Sequence, residues 1–188
     1  SKIISPNEKK TIAFHEAGHA TVSWMLEFAS PLVKVTIVPR GRSLGAAWYL
    51  PEERQLTTTG QMKDEICAAL GGRAAEIILN NDVVNTADNY YDNEIFNNFD
   101  NLYITTGATG HLQQVYKMAR QYITQYGLGE QLLYEAGMGS QPFLGRELAT
   151  GGNKISEETS KNIDKAVQEL VDFAMRNALF ILNQNYDD

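Results

Sequence analysis

The sequence predicts a mainly α fold with a small β-sheet or hairpin, and three observations predict it. Four stretches space their apolar residues like one face of a helix, and two of them open on capping boxes. Between the first two helical stretches, a segment rich in Val, Ile and Thr alternates as a strand does. The 188 residues, 43% hydrophobic and 21% charged, suffice for one compact unit with a real core, unlike disordered, collagen-like or low-complexity chains.

The first element starts at Ser5-Pro6-Asn7-Glu8, a capping box with proline at the first helical position. A helix is expected from there to about Phe28. Its apolar residues Ile12, Phe14, Val22, Met25 and Leu26, with Ala13, Ala17 and Ala20, suggest that it is enclosed on much of its circumference. After Pro31 the run Leu32 to Val38 reads as a strand with Val33, Val35 and Ile37 on one face. Pro39-Arg40-Gly41 turns the chain into a second strand, Leu44 to Leu50. Thr58 and Gln61 form another capping box, opening a helix through Met62, Ile66, Ala69 and Leu70 to about Leu79. Gly71-Gly72 within it costs helix stability, about 1 kcal/mol per glycine relative to alanine. Either another helix approaches closely there, or the bare backbone has a functional contact.

Residues 80–101 hold eight Asn, four Asp and one Glu with little periodicity, the signature of a partly disordered insertion. The Asp-Gly spacing of a calcium loop is absent from it. A third helix is expected from Thr109 to Tyr126, with Leu112, Val115, Ala119, Tyr122, Ile123 and Tyr126 on one face and Gly127 as its stop. After a glycine-rich loop over residues 128–152, Ile155-Ser156 opens a long amphipathic helix that turns Ile163, Val167, Leu170, Ala174, Ala178 and Leu182 inward.

Charge and composition exclude several function classes. A net charge of −7 offers no phosphate-neutralising surface, so nucleic acid is not an expected partner. No stretch approaches the ~18 consecutive apolar residues of a membrane span, and no phosphate-binding G-x-x-x-x-G-K-[ST] loop occurs. The single cysteine, Cys67, lies in an apolar helical context that suits core packing better than reactivity. Ser1 stands where a start methionine would, so an excised domain or processed product is expected.

His15-Glu16-Ala17-Gly18-His19 is the stretch that carries chemistry. Two imidazoles four residues apart on a helix share one face and can hold one zinc ion. Glu16 then stands where it can take a proton from a water acidified by the ion, as a general base. This makes the first helix zincin-like, in a helical peptidase domain. A catalytic zinc takes a third protein ligand. His111, at the start of the third helix, is one candidate, and an exposed helix-start histidine is the alternative reading. Glu76 on the second helix is the other candidate, although a helix-surface salt bridge explains it equally well.

These motifs together resemble the peptidase domain of the FtsH-type, membrane-anchored AAA+ zinc metalloproteases of bacteria, mitochondria and plastids. The resemblance runs through HEAGHA (15–20), PLVKVTIVPRGRSLGAAWYLPEE (31–53), ALGGRAAE (69–76), TTGA (105–108), LQQVYKMARQYITQYGL (112–128), FLGR (143–146) and ISEETSKNID (155–164). It implies zinc, a homo- or hetero-hexameric ring, unfolded or membrane proteins as substrates, and an upstream ATPase module with a membrane anchor. ATP and Mg²⁺ would act only through that module, and the membrane would be a bacterial inner membrane or an organelle membrane. After TTGA the family places an aspartate as third zinc ligand; here that position is His111. The family carries two glutamates after GGRAA, and here only Glu76 is present. The resemblance thus implies His15, His19 and His111 as zinc ligands with Glu16 as base. The alternative is an inactive, ring-forming scaffold, natural or engineered, whose substituted ligand has cost it the metal. Gly45, Ala46, Ala47 and Trp48 are the expected substrate-binding residues, through pairing of an extended peptide with an open strand edge; an ordinary packed hairpin is the alternative.

Overall fold

The computed structural model describes residues 3–50, 57–81, 109–126 and 157–188. Among them the architecture is four helices and one two-stranded antiparallel sheet: α1 (Pro6–Met25), β1 (Leu32–Thr36), β2 (Ala46–Tyr49), α2 (Thr59–Asn81), α3 (Thr109–Tyr126) and α4 (Glu157–Gln184). The mainly helical class with a small sheet is therefore the observed one.

Both capping boxes form. The Glu8 amide donates to Ser5 Oγ at 3.3 Å and the Ser5 amide to Glu8 Oε2 at 2.9 Å, while Pro6 fills the first turn, where no amide partner is needed. At α2 the Gln61 amide donates to Thr58 Oγ1 and the Thr58 amide to Gln61 Oε1, at 3.2 and 2.8 Å. Helix α1 ends at Met25, three residues short of the expected Phe28. Leu26 is already extended, and the Phe28 amide donates instead to Asp64 Oδ2 at 2.9 Å, which fastens the chain leaving α1 to α2.

Helix α2 is the central element and packs against α1, α3 and α4. Its Ile66 and Leu70 meet Val115 and Ile123 of α3 and Ile163 of α4 in a core from which solvent is excluded. All six residues expected to face inward on α4 are buried. So are Val115, Ala119, Tyr122 and Ile123 of α3, with Leu112 partly so; the side chain of Tyr126 lies outside the described residues. Cys67 is in this core, and burial pushes its thiol up to about 12, consistent with packing rather than reactivity.

One expectation about a face is corrected, and both strands stop short of their expected bounds. Helix α1 is not enclosed by its apolar residues: Ala17 and Met25 are exposed, and Ile12, Ala13, Phe14 and Ala20 are only half-buried. Its buried face is His15, Glu16, Gly18, His19, Val22 and Ser23, mostly polar. The strands are also shorter than expected, and Val33 and Val35 do not face a core but remain 65% and 41% exposed, because a two-stranded sheet lying beside α1 covers little of itself. At the hairpin end, Arg40 and Ser43 exchange main-chain hydrogen bonds around Gly41, whose φ of 60° is left-handed and favours glycine.

The insertion expected at residues 80–101 and the glycine-rich segment 128–152 lie outside the described residues, apart from the α2 end at Asn80 and Asn81.

Candidate metal centre

Helical geometry puts His15 and His19 one above the other on the buried face of α1. Their Nε2 atoms stand 3.1 Å apart, close to the ~3.3 Å separating two nitrogens that share one tetrahedral zinc at 2.0–2.1 Å each. The other ring nitrogens are engaged by α2. His19 Nδ1 lies 3.0 Å from the Ala68 carbonyl oxygen; a carbonyl only accepts, so Nδ1 carries the hydrogen and Nε2 keeps its lone pair. His15 Nδ1 faces Glu76 Oε1 at 3.7 Å. Imidazoles fixed from behind by a carbonyl and a carboxylate are how metal-ligating histidines are held. The chemistry and spacing of this donor pair therefore fit zinc.

Glu76 is 1% exposed and accompanied by Arg73 at 3.9 Å. Burial lowers the Arg73 pKa, and the Glu76 carboxylate opposes that shift. Glu76 thus approaches His15 from the side of Nδ1, away from the nitrogen that faces His19. Among the described residues no group of three His, Cys, Asp or Glu converges as a complete metal set. His111 stands in the first turn of α3, and its side chain lies outside the described residues.

Glu16 is 8% exposed, and burial raises its carboxyl pKa, with His15 pulling the other way. It opens onto a cleft of about 630 Å³ bounded by α1, β2, α2 and α3, whose wall includes His19, Ser23, Tyr49, Ala68, Ala69 and Met118. Of the expected substrate-binding residues, Gly45, Ala46 and Ala47 line this cleft. Trp48 does not: it lies 40% exposed, with Lys34 Nζ 5.2 Å from its ring centre. Gly45 lies against Glu16 itself, since a Cβ there would be 2.9 Å from Glu16 Cγ. Tyr49 accepts a hydrogen bond from Ser23 Oγ at 3.2 Å, and Glu65 accepts one from Tyr122 within the same wall.

Sequence reasoning missed two contributors. The Ala68 carbonyl is main chain and leaves no residue-type signal. Gly72 left one, the unexplained glycine pair, but only the crossing of α1 and α2 shows that the two glycines face different things. Gly71 meets the Gly18 main chain, and Gly72 meets the two imidazoles.

The chain is 44% identical, over 98% of its length, to the ATP-dependent zinc metalloprotease FtsH of Parabacteroides distasonis, and 42% identical over 98% to the protein of the same name from Karelsulcia muelleri. It is 38% identical over 93% of its length to a mitochondrial inner membrane m-AAA protease component of Schizosaccharomyces pombe. It spans 23%, 26% and 19% of the lengths of those three relatives, about a quarter at most. The sequence pattern of peptidase family M41 matches residues 2–188, and the chain belongs to that family.

Proposed function

We propose that residues 1–188 form a zinc endopeptidase domain, with an insertion at 80–101, within a longer ATP-dependent, membrane-anchored protease. The observation that carries this reading is the pair of Nε2 atoms 3.1 Å apart with the Glu16 carboxyl beside them at a cleft. Zinc, when bound, supplies Lewis acidity that polarises a peptide carbonyl and acidifies water. His15 and His19 hold it, oriented by Glu76 and the Ala68 carbonyl. Glu16 takes the proton from the attacking water and delivers it to the leaving amine.

His111 is the proposed third ligand, from its place in the family's motif order. His111→Ala is expected to lower zinc affinity more than 100-fold, and Glu76→Ala, which removes only an orienting partner, by about 10- to 100-fold. Competition with a chromophoric chelator measures both. The reverse ranking would make Glu76 the ligand, and a wild-type chain that takes no zinc would favour the scaffold reading.

The substrate lies along β2. The Leu50 amide donates to Pro31 O at 2.8 Å, so this amide points at β1. Amides alternate along a strand, so those of Trp48 and Ala46 point the same way and those of Tyr49 and Ala47 point to the outer edge. An extended peptide adding there gains main-chain hydrogen bonds whatever its side chains, which suits unfolded polypeptides. Ala47→Pro removes one such donor and is expected to lower kcat/KM about tenfold, the value of one hydrogen bond of ~1.4 kcal/mol, with circular dichroism unchanged. Undiminished cleavage by that variant would move the substrate to another surface. The parent's hexameric assembly, its ATPase and its place in a bacterial inner membrane or organelle membrane follow from the same reading. No described helix is long and apolar enough to cross a membrane.

A further inference from the structure

The two adjacent glycines of α2 differ in what a side chain would meet. At Gly71 a Cβ would lie 2.7 Å from the Gly18 carbonyl oxygen and 3.2 Å from His19 Cα, both main chain. At Gly72 it would lie 2.5 Å from His15 Cε1 and 2.6 Å from both His15 Nε2 and His19 Nε2. Carbon needs about 3.5 Å from such atoms, so one methyl group at residue 72 would press on both metal-facing nitrogens at once.

We propose that Gly72 is a positioning residue of the metal centre: its bare backbone leaves the space in which the two Nε2 atoms converge on one ion. The proposal rests on the reading of His15 and His19 as zinc ligands. What a methyl would strike at residue 72 is the far end of two side chains, which can rotate, whereas at residue 71 it would strike a helix backbone, which cannot. A swinging imidazole gives up the 3.1 Å pairing, and His19 gives up its Ala68 bond, but the α1–α2 crossing is left in place. Alanine is also the better helix former. Gly72→Ala therefore separates metal binding from folding.

The test is zinc affinity and melting temperature of the wild-type chain and of Gly72→Ala, each stripped of metal and then titrated with zinc. Expected is a metal-free melting temperature at or above that of wild type, zinc affinity lower by at least about tenfold, and loss of the upward melting shift that zinc gives the wild type. Equal affinity in the two chains would overturn the proposal while leaving the zinc site standing; a wild-type chain that binds no zinc would overturn both. Should Gly72→Ala not fold, it is placed in a His15→Ala background, which removes the closest ring. Folding there supports the steric account, and failure there as well overturns it.

Discussion

Glu16→Gln is expected to abolish peptide cleavage, with a fall of at least about 10²–10⁴-fold, while the chain still holds about one zinc. The substitution keeps the size of the side chain and removes the carboxylate that stands beside the two imidazoles at the cleft. It touches neither Nε2, nor the Ala68 and Glu76 contacts that orient the rings. Glutamine is neutral, so the desolvation that raises the Glu16 pKa has no ionised state to penalise, and a slightly more stable fold is expected. Single-turnover cleavage of an unfolded polypeptide, with metal analysis on the same sample, checks both halves. Zinc lost together with activity would make Glu16 part of the ligand set and contradict its role as base.

Gly18→Val should have the largest effect on stability. Gly18 sits between the motif's glutamate and its second histidine, and even a Cβ there would lie 2.4 Å from the Gly71 carbonyl oxygen and 2.5 Å from Ala75 Cβ. Neither can move without displacing α2. Overpacking at such a crossing costs about 3 kcal/mol, or roughly 6–12 °C in melting temperature for a chain of this length. Because α2 carries Ala68 and Glu76, pushing the helices apart also releases the imidazoles, so zinc affinity falls together with stability. Scanning calorimetry of metal-free and zinc-loaded protein measures both. A melting temperature within 2 °C of wild type would mean that the α1–α2 approach is looser than described.

The contrast between Gly18 and Gly72 bears on what the sequence made legible. Local signals were read correctly where one helix settles the matter: Ser5 with Glu8, Thr58 with Gln61, the bounds of α3 and the inward face of α4 all follow from spacing alone. The motif on α1 was legible for the same reason, since i and i+4 share a face. Features that depend on two elements meeting were not. The polar buried face of α1 defies the rule that apolar residues turn inward, as functional sites do, because α2 supplies a hydrogen-bonding carbonyl to His19 and a carboxylate facing His15 there. Glu76 looked like a possible ligand or a surface ion pair. It comes within 3.7 Å of His15 Nδ1 only because Gly18 and Gly71 let two backbones touch. Likewise Trp48 and Ala47 are neighbours in sequence, yet the indole lies against its cross-strand partner Lys34 while Ala47 lines the cleft.

The central claim, that His15 and His19 hold a zinc ion for Glu16 to work beside, is tested most directly by counting metal. Protein purified without added zinc, wild type and His19→Ala in parallel, is analysed by inductively coupled plasma mass spectrometry. About one zinc per chain in the wild type and far less in the variant is the predicted result. No zinc in the wild type, or the same amount in both, would contradict it.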